Sequence, residues 1–256
     1  MIERKAEIDR RTGETSVSLR LALDGEGAGT RVTGLGFLDH MLDLLARHGR
    51  LDLDLKVQGD LQTGSHHTVE DTGIVLGQAL DRALGDRGGI VRYGHAVVPM
   101  DEARAACAID VSGRPFCLTE GFERLPPGDI AGFEHEAAEE FFRALASTAR
   151  LTLHVHLQAG TNAHHMIEAC FKAVARALRQ AVALDPGETG VPPSARSLMT
   201  SSRPAALRRR IASGKAPTPG TTTASAARIS PGSAVRATVA PTCSSAFSTE
   251  RRLPIP

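Results

Sequence analysis

The chain has 256 residues, 41% hydrophobic and 23% charged, with one Tyr, no Trp and eight Phe; it is long enough for a substantial core, which the low aromatic content predicts to be aliphatic. A net charge of +1 conceals two unlike parts: residues 199–256 carry nine Lys/Arg against the single acid Glu250, a net of +8, which leaves −7 on residues 1–198. Four widely spaced cysteines (Cys107, Cys117, Cys170, Cys243) form no C-x-x-C pair, which excludes a zinc ribbon and gives no disulfide framework; a charged start and the lack of a long apolar run exclude secretion and membrane insertion, so a cytoplasmic protein is expected.

In chain order, Thr15–Leu23 alternates polar and apolar residues and predicts a half-buried strand, closed by a turn at Asp24-Gly25. Gly34-Leu35-Gly36 leads into an apolar helical stripe of Phe37, Leu38, Met41, Leu42, Leu44 and Leu45 within Phe37–Arg47. Strict alternation over 51–57 predicts a strand, and Ser65 is placed to cap a helix from His66 to about Leu84, which runs into Gly85–Gly89. Ala105–Asp110 reads as a further strand. The pattern then returns: a helix over Glu139–Ala149, a strand over Leu151–Leu157, a turn and cap at Gly160-Thr161-Asn162, and a closing helix over His164–Ala183.

Set side by side, the segment at His40 matches that at Glu140 with an offset of 100, and His66-His-Thr-Val-Glu70 matches His164-His-Met-Ile-Glu168 with an offset of 98. Both halves follow the order helix, strand, loop, His-His-x-x-Glu helix. This internal duplication predicts an α+β fold of two half-domains, half one about 1–90 and half two about 91–185, within a domain spanning 1–198. Of the last 58 residues, 38 are Ser, Thr, Ala, Pro or Gly, which predicts a disordered basic tail over 199–256 and no specific nucleic-acid partner. A frame-shifted or read-through extension would have such a composition.

Adjacent helical residues project about 100° apart, whereas i and i+4 share a face. His66 and Glu70 can therefore grip one ion while His67 points elsewhere, and the same holds for His164, Glu168 and His165. His40 and Glu140 are ligand-capable partners from the preceding helices. A single His pair at a helix start is usually a cap or a surface feature; a pair kept through a duplication, each with its Glu, points to two metal centres. Imidazole with carboxylate suits Mn, Fe or Zn. Arg92 and Arg114 stand in turns where a guanidinium can clamp an anion, or lie solvated. His154 and His156 share one side of a strand and are left unassigned. His48, His95 and His135 read as structural, and Glu7 and Asp101-Glu102 carry no intrinsic signal.

Gly34-Leu-Gly-Phe-Leu-Asp-His-Met41, His66-His-Thr-Val-Glu-Asp71, Pro99-Met-Asp-Glu-Ala103, Ser112-Gly-Arg-Pro115 and Asn162-Ala-His-His-Met-Ile-Glu-Ala-Cys-Phe-Lys172 together resemble the imidazoleglycerol-phosphate dehydratases, over about Arg4 to Val191. The resemblance implies a hydro-lyase of histidine biosynthesis that converts imidazole glycerol phosphate to imidazole acetol phosphate. It also implies a pseudo-twofold body, each half a small, mostly antiparallel sheet with two helices, the helices packed between the sheets. Two Mn2+ per active site are implied, held by His40, His66, His67, Glu70, Glu140, His164, His165 and Glu168. Catalytic roles would fall to Glu7, Glu70 and Glu168, and Glu7, Arg92, Arg114, Ser194 and Arg196 would bind the substrate and its phosphate. Trimers assembled into a 24-subunit shell, with active sites between subunits, complete the expectation. Two departures stand out: Glu140 occupies a position where many members carry His, and Pro193-Ser-Ala-Arg-Ser197 replaces a Pro-Ser-Thr-Lys-Gly-like segment, so that Arg196 supplies the lysine's charge but not its shape. The alternatives are a dinuclear metal-dependent phosphate-ester hydrolase, which would release inorganic phosphate, and a non-catalytic metal-binding shell protein.

Overall fold

A computed structural model of the chain describes residues 3–188 and residue 190; Ser194, Arg196 and the predicted tail over 199–256 lie outside the described residues. The first half runs β1 (Lys5–Arg11), β2 (Thr15–Ala22), β3 (Arg31–Val32), α1 (Gly36–Gly49), β4 (Asp52–Gly59) and α2 (His66–Leu84). The second runs β5 (Tyr93–Met100), β6 (Ala103–Asp110), β7 (Phe116–Glu120), the short pair β8 (Asp129–Ile130) and β9 (Phe133–Glu134), then α3 (Ala137–Ala149), β10 (Thr152–Ala159) and α4 (Ala163–Val182).

The strand orders β1-β2-β4-β3 and β5-β6-β10-β7 are the same arrangement twice. Register repeats as well: Val17 pairs Val57 and Leu19 pairs Leu55 in the first sheet, while Ala105 pairs Leu157 and Cys107 pairs Val155 in the second. The last strand of each sheet joins in parallel, Arg31 opposite Leu55 and Thr119 opposite Val155. Arg50 and Arg150 end α1 and α3 in the same left-handed conformation, at φ 53° and 54°. The fold is thus α+β and duplicated, with the helices packed between two mostly antiparallel sheets. Arg4 donates to the Val182 carbonyl, so the start of β1 is tied to the end of α4.

Alternation explains the layers, because a period of two sends every second side chain to one face. Val17, Leu19, Leu21, Leu53, Leu55 and Val57 are buried on the inner face of the first sheet, and Ile109, Leu153, Val155 and Leu157 on that of the second. The core is not purely aliphatic. Phe133, Phe141, Phe142 and Phe171 are fully buried, with Phe171 centred 5.0 Å from Phe141 and 4.8 Å from Phe142; a low count of aromatic residues says nothing about where they gather. The outer faces differ in character. The first is charged (Lys5, Glu7, Asp9, Arg20, Asp54, Lys56), whereas the second mixes exposed Tyr93, Val97 and Phe116 with His95, Arg104, His154 and His156. No described helix is long and apolar enough to cross a membrane.

Close backbone approaches set the helices on the sheets. A Cβ at Gly94 would lie 1.9 Å from the Ala177 carbonyl oxygen, so β5 meets α4 only through a glycine. Gly94→Ala is expected to force α4 away from the sheet at a cost of about 1–3 kcal/mol, lowering Tm by roughly 3–10 °C in calorimetry at this chain size. Asp52 supplies a second test. Its Oδ1 accepts the backbone N–H groups of Glu26 (2.9 Å), Gly27 (3.2 Å) and Ala28 (2.9 Å), and these bonds, the Glu26 amide first, hold the carboxyl below the usual range. A depressed folded value contributes stability above the unfolded pKa and loses it as pH falls through the folded one. The stability gap between wild type and Asp52→Asn in urea titrations is therefore expected to be constant at neutral pH and to narrow below about pH 4.

Candidate metal centre and substrate-binding residues

The N-terminus of α4 organises the centre. Asn162 stands outside the helix in extended conformation, and its Oδ1 accepts the amide protons of His164 (2.9 Å) and His165 (3.3 Å), satisfying two of the donors left free at a helix start. With the first turn so fixed, His164 faces α1 and His165 faces away. His164 Nε2 lies 3.1 Å from Glu168 Oε2, one turn on, and His40 Nε2 from α1 lies 3.4 Å from the same oxygen. The ligand atoms of the three residues fall within 4.8 Å of one another. Phe37 packs edge-on against the His164 ring at 5.0 Å, and Glu168 is only 5% exposed. Burial alone would raise the Glu168 carboxyl, but Lys172, ion-paired one turn further along α4, and His40 outweigh it and hold the group below its ordinary value.

His165 belongs to a different constellation. Its Nδ1 meets Glu102 Oε2 at 2.7 Å, and its Nε2 is 3.7 Å from Asp101. The Glu102 bond raises the His165 pKa; in return the imidazole, together with the Asn162 and Thr161 amides, brings Glu102 down to about 2. His67 repeats the theme in the first half, with Nδ1 3.0 Å from Asp60 Oδ2, and the pair shifts in the same directions, His67 up and Asp60 down.

The counterpart of the His40 cluster is more open. His66 Nε2 and Glu70 Oε2 are 3.6 Å apart and both side chains are exposed, while Glu140 on α3 turns to Arg143 at 3.4 Å. Among the described residues, only His40, His164 and Glu168 form a group of three or more such side chains with ligand atoms within 4.8 Å of one another. The closed cluster has one carboxylate, two imidazoles and Lys172, which ion-pairs with Glu168. Ile74 occupies the repeat position of Lys172.

Arg92 and Arg114 converge on Asp110. Arg92 holds it in a fork (2.7 and 3.2 Å) beneath a cation–π contact with Tyr93, and the largely exposed Arg114 reaches it at 3.5 Å. The Asp110 hydrogen bond raises the Arg92 pKa further, so this guanidinium stays charged throughout. Asp110 ends β6, however, while α4 starts beside the strand's other end, where Arg104 pairs Ala159; at about 3.3 Å per residue the strand keeps the arginines roughly 20 Å from the His164 end. Glu7 sits on the outer face of the first sheet, 3.5 Å from Arg20. One chain therefore does not gather its metal cluster, its arginine pair and Glu7 into a single pocket. Lys172, Glu102 and Asp60 escaped sequence reasoning. Lys172 was detectable as an i+4 partner of Glu168, but nothing in the spacing ties Glu102 to a histidine 63 residues away. The predicted Ser65 cap does not form, because the Ser65 hydroxyl donates to Glu134 Oε2 at 2.6 Å instead.

Comparison with known proteins identifies the family. The profile of the imidazoleglycerol-phosphate dehydratase family matches residues 33–178. An imidazoleglycerol-phosphate dehydratase of Moorella thermoacetica is 55% identical over 191 residues, covering 75% of this chain and 96% of the relative. That of Xanthobacter autotrophicus is 53% identical over 196 residues, covering 77% and 98%. Among solved structures, the Staphylococcus aureus enzyme superposes with a TM-score of 0.64 at 39% identity over 71% of this chain and 99% of its own. The Pyrococcus furiosus protein does so with 0.61 at 33% identity over 70% and 95%. The chain belongs to the imidazoleglycerol-phosphate dehydratase family, a family of hydro-lyases.

Proposed function

We propose that this protein is the metal-dependent dehydratase of cytoplasmic histidine biosynthesis, converting imidazole glycerol phosphate to imidazole acetol phosphate with two Mn2+ per active site. The observation that carries the metal reading is the convergence of His40, His164 and Glu168 within 4.8 Å. Two imidazoles and a buried carboxylate, with no thiol among them, suit Mn2+. His66, Glu70 and Glu140 would supply the counterpart centre, and His67 and His165, turned away from the ligands on their own helices, would complete sites shared with other copies. Bound Mn2+ would supply Lewis acidity and a template for the substrate imidazole.

The remaining work falls to side chains of the chain itself. Arg92 and Arg114 carry two positive charges against the single carboxylate of Asp110, and the exposed N–H groups of Arg114 are free to receive phosphate oxygens. Ser194 and Arg196 would close that phosphate site. Glu7, exposed and beside Arg20, is an acid–base group suited to take the proton from the carbinol carbon adjacent to the one that loses its hydroxyl; Glu70 and Glu168 would hold metal and orient the ring. Because the strand separates these groups within one chain, the active site needs a second copy, and the outer face of the second sheet, which exposes Tyr93, Val97 and Phe116 beside His95, His154 and His156, offers a surface for one. A trimer-based 24-subunit shell is the assembly we propose.

The decisive assay incubates the full chain with Mn2+ and imidazole glycerol phosphate while following ketone and free phosphate together. Ketone without phosphate is expected, with loss on chelation and return on adding Mn2+; released phosphate would make the chain a phosphate-ester hydrolase, and no turnover in either state a binding shell. Glu168→Gln should lower kcat/KM by more than the ~10–100-fold typical of losing an outer-sphere carboxylate. Mixing inactive Glu168→Gln with inactive Arg92→Ala subunits, by unfolding and refolding together, should restore part of the activity. No recovery in verified mixed oligomers would place the whole site in one chain.

A further inference from the structure

Two histidines that turn away from the clusters on their own helices, His67 and His165, are each met at Nδ1 by a carboxylate that no expectation assigned. At His165 the partner is Glu102, from the β5–β6 turn, whose two oxygens have separate tasks. Oε1 accepts the amides of Asn162 (2.8 Å) and Thr161 (3.2 Å) and faces the Thr161 hydroxyl (3.4 Å); Oε2 faces His165 Nδ1 at 2.7 Å. At His67 the partner is Asp60, from the loop between β4 and α2, with both oxygens near Nδ1 at 3.2 and 3.0 Å. These acids are not copies of one another. In the repeat register, Asp60 corresponds to Gly160 and Glu102 to Glu14. The two halves thus reach the same contact, carboxylate to Nδ1 of the second histidine, from different elements.

An ionised carboxylate only accepts, so Nδ1 is the protonated nitrogen and the lone pair of the neutral ring lies on Nε2. We propose that Glu102 and Asp60 are positioning residues that hold His165 and His67 in the Nδ1–H form, leaving Nε2, which at His165 lies 3.7 Å from Asp101, as the metal-binding atom. The proposal rests on the metal reading above for its purpose, but the tautomer is a property of the metal-free chain. A metal-binding imidazole commonly donates its other N–H to a carboxylate, which fixes ring orientation and raises ligand basicity.

The asymmetric duties of Glu102 give the test. In Glu102→Gln the two backbone N–H groups require the amide oxygen at the Oε1 position, so the NH2 group faces His165, donates to Nδ1 and drives the ring proton to Nε2, with the turn left intact. Nitrogen NMR of the full, metal-free chain at alkaline pH is expected to show His165 as Nδ1–H in wild type and Nε2–H in the variant. Mn2+ titration followed by paramagnetic resonance should show affinity about 10–100-fold weaker, with Tm close to wild type. Asp60→Asn, whose amide is free to present its oxygen to Nδ1, should keep both the tautomer and the affinity, whereas Asp60→Ala should lose both at His67. A Glu102→Gln variant that retains the Nδ1–H ring or wild-type Mn2+ affinity overturns the proposal. If that variant does not fold, unchanged tautomer and affinity in Asp60→Ala do so. Wild-type rings in the Nδ1–H form without any Mn2+ binding would overturn the metal reading alone.

Discussion

The angle of about 100° between neighbouring residues on a helix matters here because Asn162 fixes the phase from which it is counted. Its side chain takes the amide protons of His164 and His165, so the first turn of α4 cannot fray or start a residue late. From that point the directions follow: His164 and Glu168 fall on one line facing α1, and His165 swings toward the β5–β6 turn. The buried stripe of Met166, Ile167, Cys170 and Phe171 sets the rotation of the helix on the core, which keeps His164 and Glu168 toward His40. The core beneath serves this alignment, because Gly94 lets α4 sit against the second sheet and Phe171 anchors it among Phe141 and Phe142.

The two halves share a backbone plan but not an electrostatic one. In the second half a buried glutamate is ion-paired with Lys172 and lies within hydrogen-bonding reach of His40 and His164. In the first, Glu70 stays beside His66 at 3.6 Å and Glu140 turns to Arg143 at 3.4 Å. The closed group is thus held by contacts among its own side chains, whereas its counterpart stays open among the described residues.

Much of this was legible in the sequence, and the reasons are physical. A sheet with one solvated face writes a period of two into its strands, which is why 15–23 and 51–57 stand out, and a helix that buries one stripe writes its own period into 37–47. The repeated His-His-x-x-Glu was visible because it recurs at the start of two helices with the same spacing while the residues around it differ. Tyr93–Met100 was not recognised as a strand, since it contains both Gly94, required by contact with α4, and Pro99 at its edge. The Glu102–His165 and Asp60–His67 contacts were invisible for a different reason: they depend on where turns land after folding. Ser65 was misread as a cap because Glu134, 69 residues away, competes for its hydroxyl.

The bond from Arg4 to the Val182 carbonyl has a consequence for the order of the gene. The chain's first strand and last helix end together, while the halves are otherwise joined by the single connection after Leu84. Opening that connection and bridging the ends near residues 3 and 188 would exchange the halves along the polypeptide without altering a strand pairing. Which half is translated first is then an accident of ancestry that the folded body does not record.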